Sequence, residues 1–142
     1  MTIEQALQLK LKDVVGHTKV YPDAAPDGYR PEVDPPCVIY QHSGDDVQHG
    51  LSDTSGKDCI DLYTLEIWGR DRTAVIALRD LLKSAFRGAN AQGTWGGAGG
   101  VVVAGAWCKD AAGDMAPADD GTDRHDRAER LSLKIFWYEG GS

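Results

Sequence analysis

Cysteine is scarce. Cys37, Cys59 and Cys108 are odd in number and far apart, so a disulfide framework is not what folds this chain. A single domain of this length removes roughly two thirds of its unfolded surface from water without such help. Each cysteine lies in an apolar, strand-like run, and we read them as reduced core side chains in a cytosolic setting, preferred over a thiol nucleophile. Long hydrophobic runs are missing as well: none approaches the roughly 20 residues of a membrane helix. The opening MTIEQAL also lacks the basic and apolar regions of a signal peptide, so a soluble, unprocessed protein that engages no membrane is expected. Basic residues are few, with 15 Lys and Arg against 22 Asp and Glu and a net charge of −7. That balance argues against sequence-blind wrapping of nucleic acid, which needs clustered Lys and Arg to neutralise phosphates. The same sign suits a surface past which DNA must slide.

Catalytic signatures are wanting too. The glycines between Gly93 and Gly100 precede a strand, whereas a dinucleotide fingerprint follows one and opens a helix, and Val102 stands where its last glycine would fall. No Walker lysine is present. The acidic run with Asp119, Asp120, Gly121, Asp123 and Asp126 resembles a calcium loop, yet with Gly121 as the turn glycine the first and third ligand positions are Ala116 and Ala118. His42 and His49 flank Asp45 and Asp46 without a spacing that fixes metal geometry. Ser43 and Ser52 lie in neither GxSxG nor SxxK. We therefore expect no enzyme, no cofactor and no metal, and assign no catalytic residue.

What the chain does carry is organised around residues 59–88. In CIDLYTLEIW, Tyr63, Leu65 and Ile67 share one face of a strand and read as core, while Thr64, Glu66 and Trp68 share a half-wet face. After Gly69 the spacing turns helical, with Ala74, Val75, Leu78, Leu81, Leu82 and Ala85 in one stripe. Asp71 is the expected N-cap and Gly88 the expected stop. Earlier, Thr2 and Gln5 form a capping box for a helix that buries Ile3, Ala6, Leu7, Leu11, Val14 and Val15 and ends at Gly16. A strand over 17–21 is cut by Pro22, and residues 22–36, with five of the six prolines, form an extended surface belt. A strand over 37–42 follows. The polar stretch 43–58 is either a mobile loop or a protruding ribbon. Residues 101–108 form a strand whose Ala104, Gly105 and Ala106 suggest close approach of another backbone. Residues 109–128 read as irregular and acidic, and 130–138 as a clear final strand.

This order predicts one α+β domain over 1–142: a mainly antiparallel sheet of about four to five strands with two helices packed on one face. The opposite face then carries Tyr40, Trp68, Phe136 and Tyr138, more aromatic surface than a monomer usually leaves wet. Either the belt 22–36 folds over them, or they form a subunit interface.

In sequence, the TIEQAL helix, VYP at 20–22, PCVIYQ at 36–41, LYTLEIWGRDRTAVIALRDLLKSAF at 62–86 and the final LSLKIFWYE resemble the small tail-completion or tail-terminator proteins of long-tailed phages, similar in fold to the lambda-type tail terminator. The chain departs from them in its glycine-rich 93–100 stretch and its long 109–128 loop. The resemblance implies a virion protein of the tail or neck, assembled in the host cytoplasm. It implies a ring, typically a hexamer, that ends tail-tube polymerisation and meets the head-completion or connector protein. A stopper or adaptor of the same neck is the alternative, and a small binding or regulatory module a more distant one. On that footing Asp45, Asp46, His49 and Asp53 become candidates for a partner-contact loop. Asp45, Asp46, Asp119, Asp120 and Asp123 become candidates for charges lining a lumen through which DNA passes without specific binding, or simply for carboxylates that keep the assembly soluble.

Overall fold

The computed structural model describes residues 1–16, 20–24, 27–30, 36–48, 57–111 and 127–139, with backbone alone for 45–48, 57, 58, 127, 128 and 139. Local sequence sets the helices. The Thr2 hydroxyl accepts from the Gln5 amide at 3.1 Å and the Gln5 side chain accepts from the Thr2 amide at 2.9 Å, closing the capping box that opens α1 (Ile3–Val15). Gly16, at φ 74°, ends it in the left-handed conformation that glycine tolerates best. Asp71 caps α2 (Arg72–Ala85) by accepting from the Thr73 amide. Its apolar stripe is narrower than expected: Val75 and Leu82 are buried, Ala74, Leu78 and Ala85 partly so, and Leu81 is exposed. The helix also stops earlier than Gly88. Phe86 turns fully into the core as the C-cap, and Gly88 donates its amide to the Ala106 carbonyl at 2.7 Å.

Six strands form one sheet: β1 (Val20–Pro22), β2 (Cys37–Gln48), β3 (Lys57–Gly69), β4 (Gly93–Trp95), β5 (Val101–Asp110) and β6 (Arg127–Glu139). Their order is β1-β2-β3-β6-β5-β4, antiparallel throughout except for the parallel pair β1 and β2. The sheet is therefore mixed and one strand larger than the four to five expected. The additional strand is β4, three residues inside the stretch that sequence presents as a glycine loop. Its pairing with Val101–Val103 depends on a turn rather than on any apolar pattern of its own. The parallel start follows from the long proline-rich connection, since a parallel neighbour needs a crossover of a dozen or more residues.

β2 and β3 extend beyond their expected ends and pair out to Gln48 opposite Asp58. Residues 43–48 and 57–58 thus belong to a long ribbon, which decides for the ribbon reading there; 49–56 lie outside the described residues. Of the strand expected over 17–21, residues 17–19 also lie outside them. The stretch 109–128, expected to be irregular, gives its ends to β5 and β6.

Both helices cover one sheet face. Tyr63, Leu65 and Ile67 of β3 and Leu131, Leu133 and Ile135 of β6 meet Ala6, Leu7 and Leu11 of α1 and Val75 and Leu82 of α2 in one buried cluster. Phe86 and Trp95 meet edge to face with ring centroids 5.6 Å apart, and the Trp95 indole donates to the Ala91 carbonyl at 2.9 Å, which satisfies its buried polar atom. A Cβ on Gly105 would lie 3.3 Å from the Gly88 carbonyl oxygen, the close backbone approach that the small residues of β5 foreshadow.

Burial also reaches titratable groups. It pushes the Cys108 thiol up to about 12, with Lys83 opposing and Asp110 reinforcing the shift. Burial likewise raises the Tyr63 phenol, helped by Asp61, Glu4 and Tyr40, and the Tyr40 phenol, helped by Glu4 and Asp23.

Two outcomes follow for stability. A Cβ on Gly100 would collide with the Trp95 carbonyl oxygen, whereas one on Gly28 would meet open space. Gly100→Ala should cost about 1–3 kcal/mol of unfolding free energy in urea, and Gly28→Ala less than about 0.5 kcal/mol; equal effects would show that the β4–β5 turn is not held as described. For pH, the folded state retains protons on Cys108, Tyr63 and Tyr40 that the unfolded chain releases at ordinary values. Stability is therefore full below pH 9 and falls as pH rises toward 12. Urea midpoints across that window should decline, and Cys108→Val should remove the earliest part of the decline.

Candidate interaction face

On the sheet face opposite the helices, β5 and β6 set side chains in directly opposed pairs: Val102 with Tyr138, Gly105 with Phe136, Trp107 with Lys134, and Lys109 with Ser132. On the other side of β6, Phe136 faces Ile60 and Lys134 faces Leu62. The apolar members are wet to an unusual degree, with Trp107 56% exposed, Tyr138 46% and Val102 43%. Stacked apolar side chains of this size on one open face are the pattern expected of a surface that meets another macromolecule.

A depression of about 640 Å³ runs beside this row, with Leu62, Trp107 and Phe136 as apolar walls and Ser43, Lys109, Ser132 and Lys134 as polar ones. Backbone irregularities flank it. Both β-bulges on this face, at His42–Gly44 in β2 and at Val103–Gly105 in β5, bring a glycine opposite an apolar residue: Gly44 faces Leu62 and Gly105 faces Phe136. Neither supplies a side chain to cover its neighbour.

The four aromatics grouped by sequence separate here. Phe136 and Tyr138 share the open face as expected. Tyr40 does not: it stands opposite Leu65, is 3% exposed and belongs to the core, so its assignment to the outer face is corrected. Trp68 is on the outer face but opposite Ala128, eight residues along β3 from the rung of Phe136, or about 26 Å at ~3.3 Å per residue. There it is half-buried. Its indole donates to Glu66 at 3.1 Å, Arg130 donates to the same carboxylate at 3.2 Å, and the Tyr29 hydroxyl donates to the Trp68 carbonyl at 3.1 Å. Pro36 also lies against Gly69. The described part of the belt thus reaches the Trp68 end of the sheet.

Trp107 is the residue that sequence reasoning missed. Counted by simple alternation it falls with Val101 and Val103, which are buried, and the bulge between Val103 and Gly105 reverses that parity. The adjacent Gly105 in a strand of small residues is the one signal that pointed to it.

Of the loop candidates, Asp45 and Asp46 are strand residues of β2, opposite Asp61 and Ile60. His49, Asp53, Asp119, Asp120 and Asp123 lie outside the described residues. On the helix-side face, Asp61 is buried, and it accepts from the Trp137 indole at 3.2 Å with His42 Nε2 3.8 Å away. Cys108 borders the depression, but its raised pKa keeps it protonated and a poor nucleophile. Among the described residues, no three His, Cys, Asp or Glu side chains gather as metal ligands, and no helix is long and apolar enough to cross a membrane.

No protein-family profile matches the chain, and no curated protein matches it. Among solved structures, the chain is similar to one described as the virion of a native gene transfer agent particle, at 14% identity and a TM-score of 0.43, over 96% of this chain and 91% of that one.

Proposed function

We propose that this chain is a non-enzymatic structural protein of a phage-type particle. In this reading it is a subunit of a ring that caps the tail tube, ends its polymerisation and joins the tail to the head-completion or connector protein. The observation that carries the reading is the open row of Val102, Trp107, Phe136 and Tyr138, an apolar surface that needs a partner. The segments that resemble tail terminators support it, because they fall on α1, β1, β2, β3, α2 and β6. A ring subunit needs two different surfaces, since a head-to-tail contact closes only when unlike faces meet. The aromatic row is one of them; Trp68, tied into its own network, stands apart from it. Six copies, a lumen that DNA traverses unbound, and a place in the virion neck after assembly in the host cytoplasm complete the proposal.

Electron microscopy of the purified protein, alone and with tail tubes, tests it. Wild-type protein should give closed rings. Trp107→Ala and Tyr138→Ala should each weaken ring formation by tenfold or more, since aromatic side chains at interface centres often contribute about 2 kcal/mol or more, while the folded circular-dichroism spectrum persists. Protein that stays monomeric with tubes present would refute the ring.

A further inference from the structure

We infer that the depression beside the aromatic row is a lysine-flanked socket that accepts a carboxylate-bearing surface of a second copy of this chain. The contact rests on the ring reading above and specifies its chemistry. Lys134 stands directly opposite Trp107, and Lys109 is opposite Ser132 on the next exposed rung, so two ammonium groups flank one apolar wall. Three neighbouring cations already have partners: Arg79 meets Asp80 and Glu129, Lys83 meets Asp110, and Arg130 meets Glu66. Lys109 and Lys134 have no carboxylate partner among the described residues, and both are exposed.

Charge complementarity names the occupant. Each copy carries 22 acidic and 15 basic residues, so the surface of a neighbour offers more carboxylates than cations. Copies of net charge −7 also repel one another. A contact built on two unspent lysines offsets that repulsion locally, while Trp107 and Phe136 exclude water and strengthen the ion pairing. Shape agrees at one end, because Gly44 places no side chain over Leu62, which it faces.

Sedimentation velocity of the full chain from about 50 to about 500 mM NaCl, a range over which the screening length shrinks severalfold, provides the test. Wild-type association should weaken as salt rises. Lys109→Glu with Lys134→Glu should reduce association at least tenfold at low salt, Lys109→Gln with Lys134→Gln should reduce it less, and Lys109→Arg with Lys134→Arg should retain it. Urea midpoints of all three should match wild type, as the side chains are exposed. If the reversed variant associates like wild type, or salt has no effect, the socket is refuted while the ring reading stands. If the wild type remains monomeric at every salt concentration and with tail tubes, the ring reading fails and the socket with it.

Discussion

Thirteen consecutive rungs join β3 to β6, from Lys57 opposite Glu139 to Gly69 opposite Arg127, without a register shift. The rest of the structure depends on this ladder. Side chains alternate strictly along a strand, so one unbroken register assigns every residue of both strands to a face: Leu65 with Leu131 inward, Leu62 with Lys134 outward. A slip of one residue would expose the leucines of the core and bury Glu66 and Lys134. The last strand in the chain is also the one inserted between β3 and β5. Without β6, the sheet divides into β1-β2-β3 and β5-β4, and α2 loses the middle one of the three strands it covers. Contacts this distant in sequence require large loops to close first, which places completion of the sheet late in folding.

The flanking strands are regular only in part, and their irregularity makes the surface. β2 and β5, the outer neighbours of the central pair, each carry one bulge, and each bulge brings a glycine against an apolar side chain of the β3–β6 pair. A bulge adds one residue to one strand and reverses the parity beyond it. In β5 this moves Trp107 from the buried set to the open face, next to Phe136. The aromatic row is therefore a product of backbone geometry as much as of composition.

That explains what the sequence made legible and what it did not. Caps at Thr2, Gly16 and Asp71 are local chemistry, a few residues in reach of one another, and they are where the pattern puts them. The faces of β3 and β6 are legible for the same reason, because alternation within an unbroken strand needs no partner. Tyr40 was misplaced because both faces of CVIYQH are apolar, and only its pairing with Leu65 decides between them. Trp107 needed the position of a bulge, and β4 needed a turn whose glycines adopt positive φ at Gly96, Gly97 and Gly99. The first two are matters of strand pairing and the third of turn geometry, none of which composition and periodicity encode.

Charge acts on two length scales here. At physiological salt the field of a net −7 is screened over about 8 Å, so long-range repulsion between copies is weak at the distance where surfaces first approach and grows only near contact. Contact-range pairs then decide which faces meet. The sheet carboxylates whose side chains are described are engaged within the chain: Glu66 holds Trp68 and Arg130, Asp61 holds the Trp137 indole inside the fold, Asp110 meets Lys83 and Glu129 meets Arg79. A buried carboxylate is costly unless it is bonded, so Asp61 fixes the position of Trp137 near the far end of the β3–β6 ladder. The acids are thus partly committed to holding the sheet, while Lys109 and Lys134 stay uncommitted beside the largest wet apolar side chain. A net acidic chain that sets two uncommitted lysines beside an aromatic row distinguishes one surface of itself from the others, which is the asymmetry that a closed head-to-tail assembly requires.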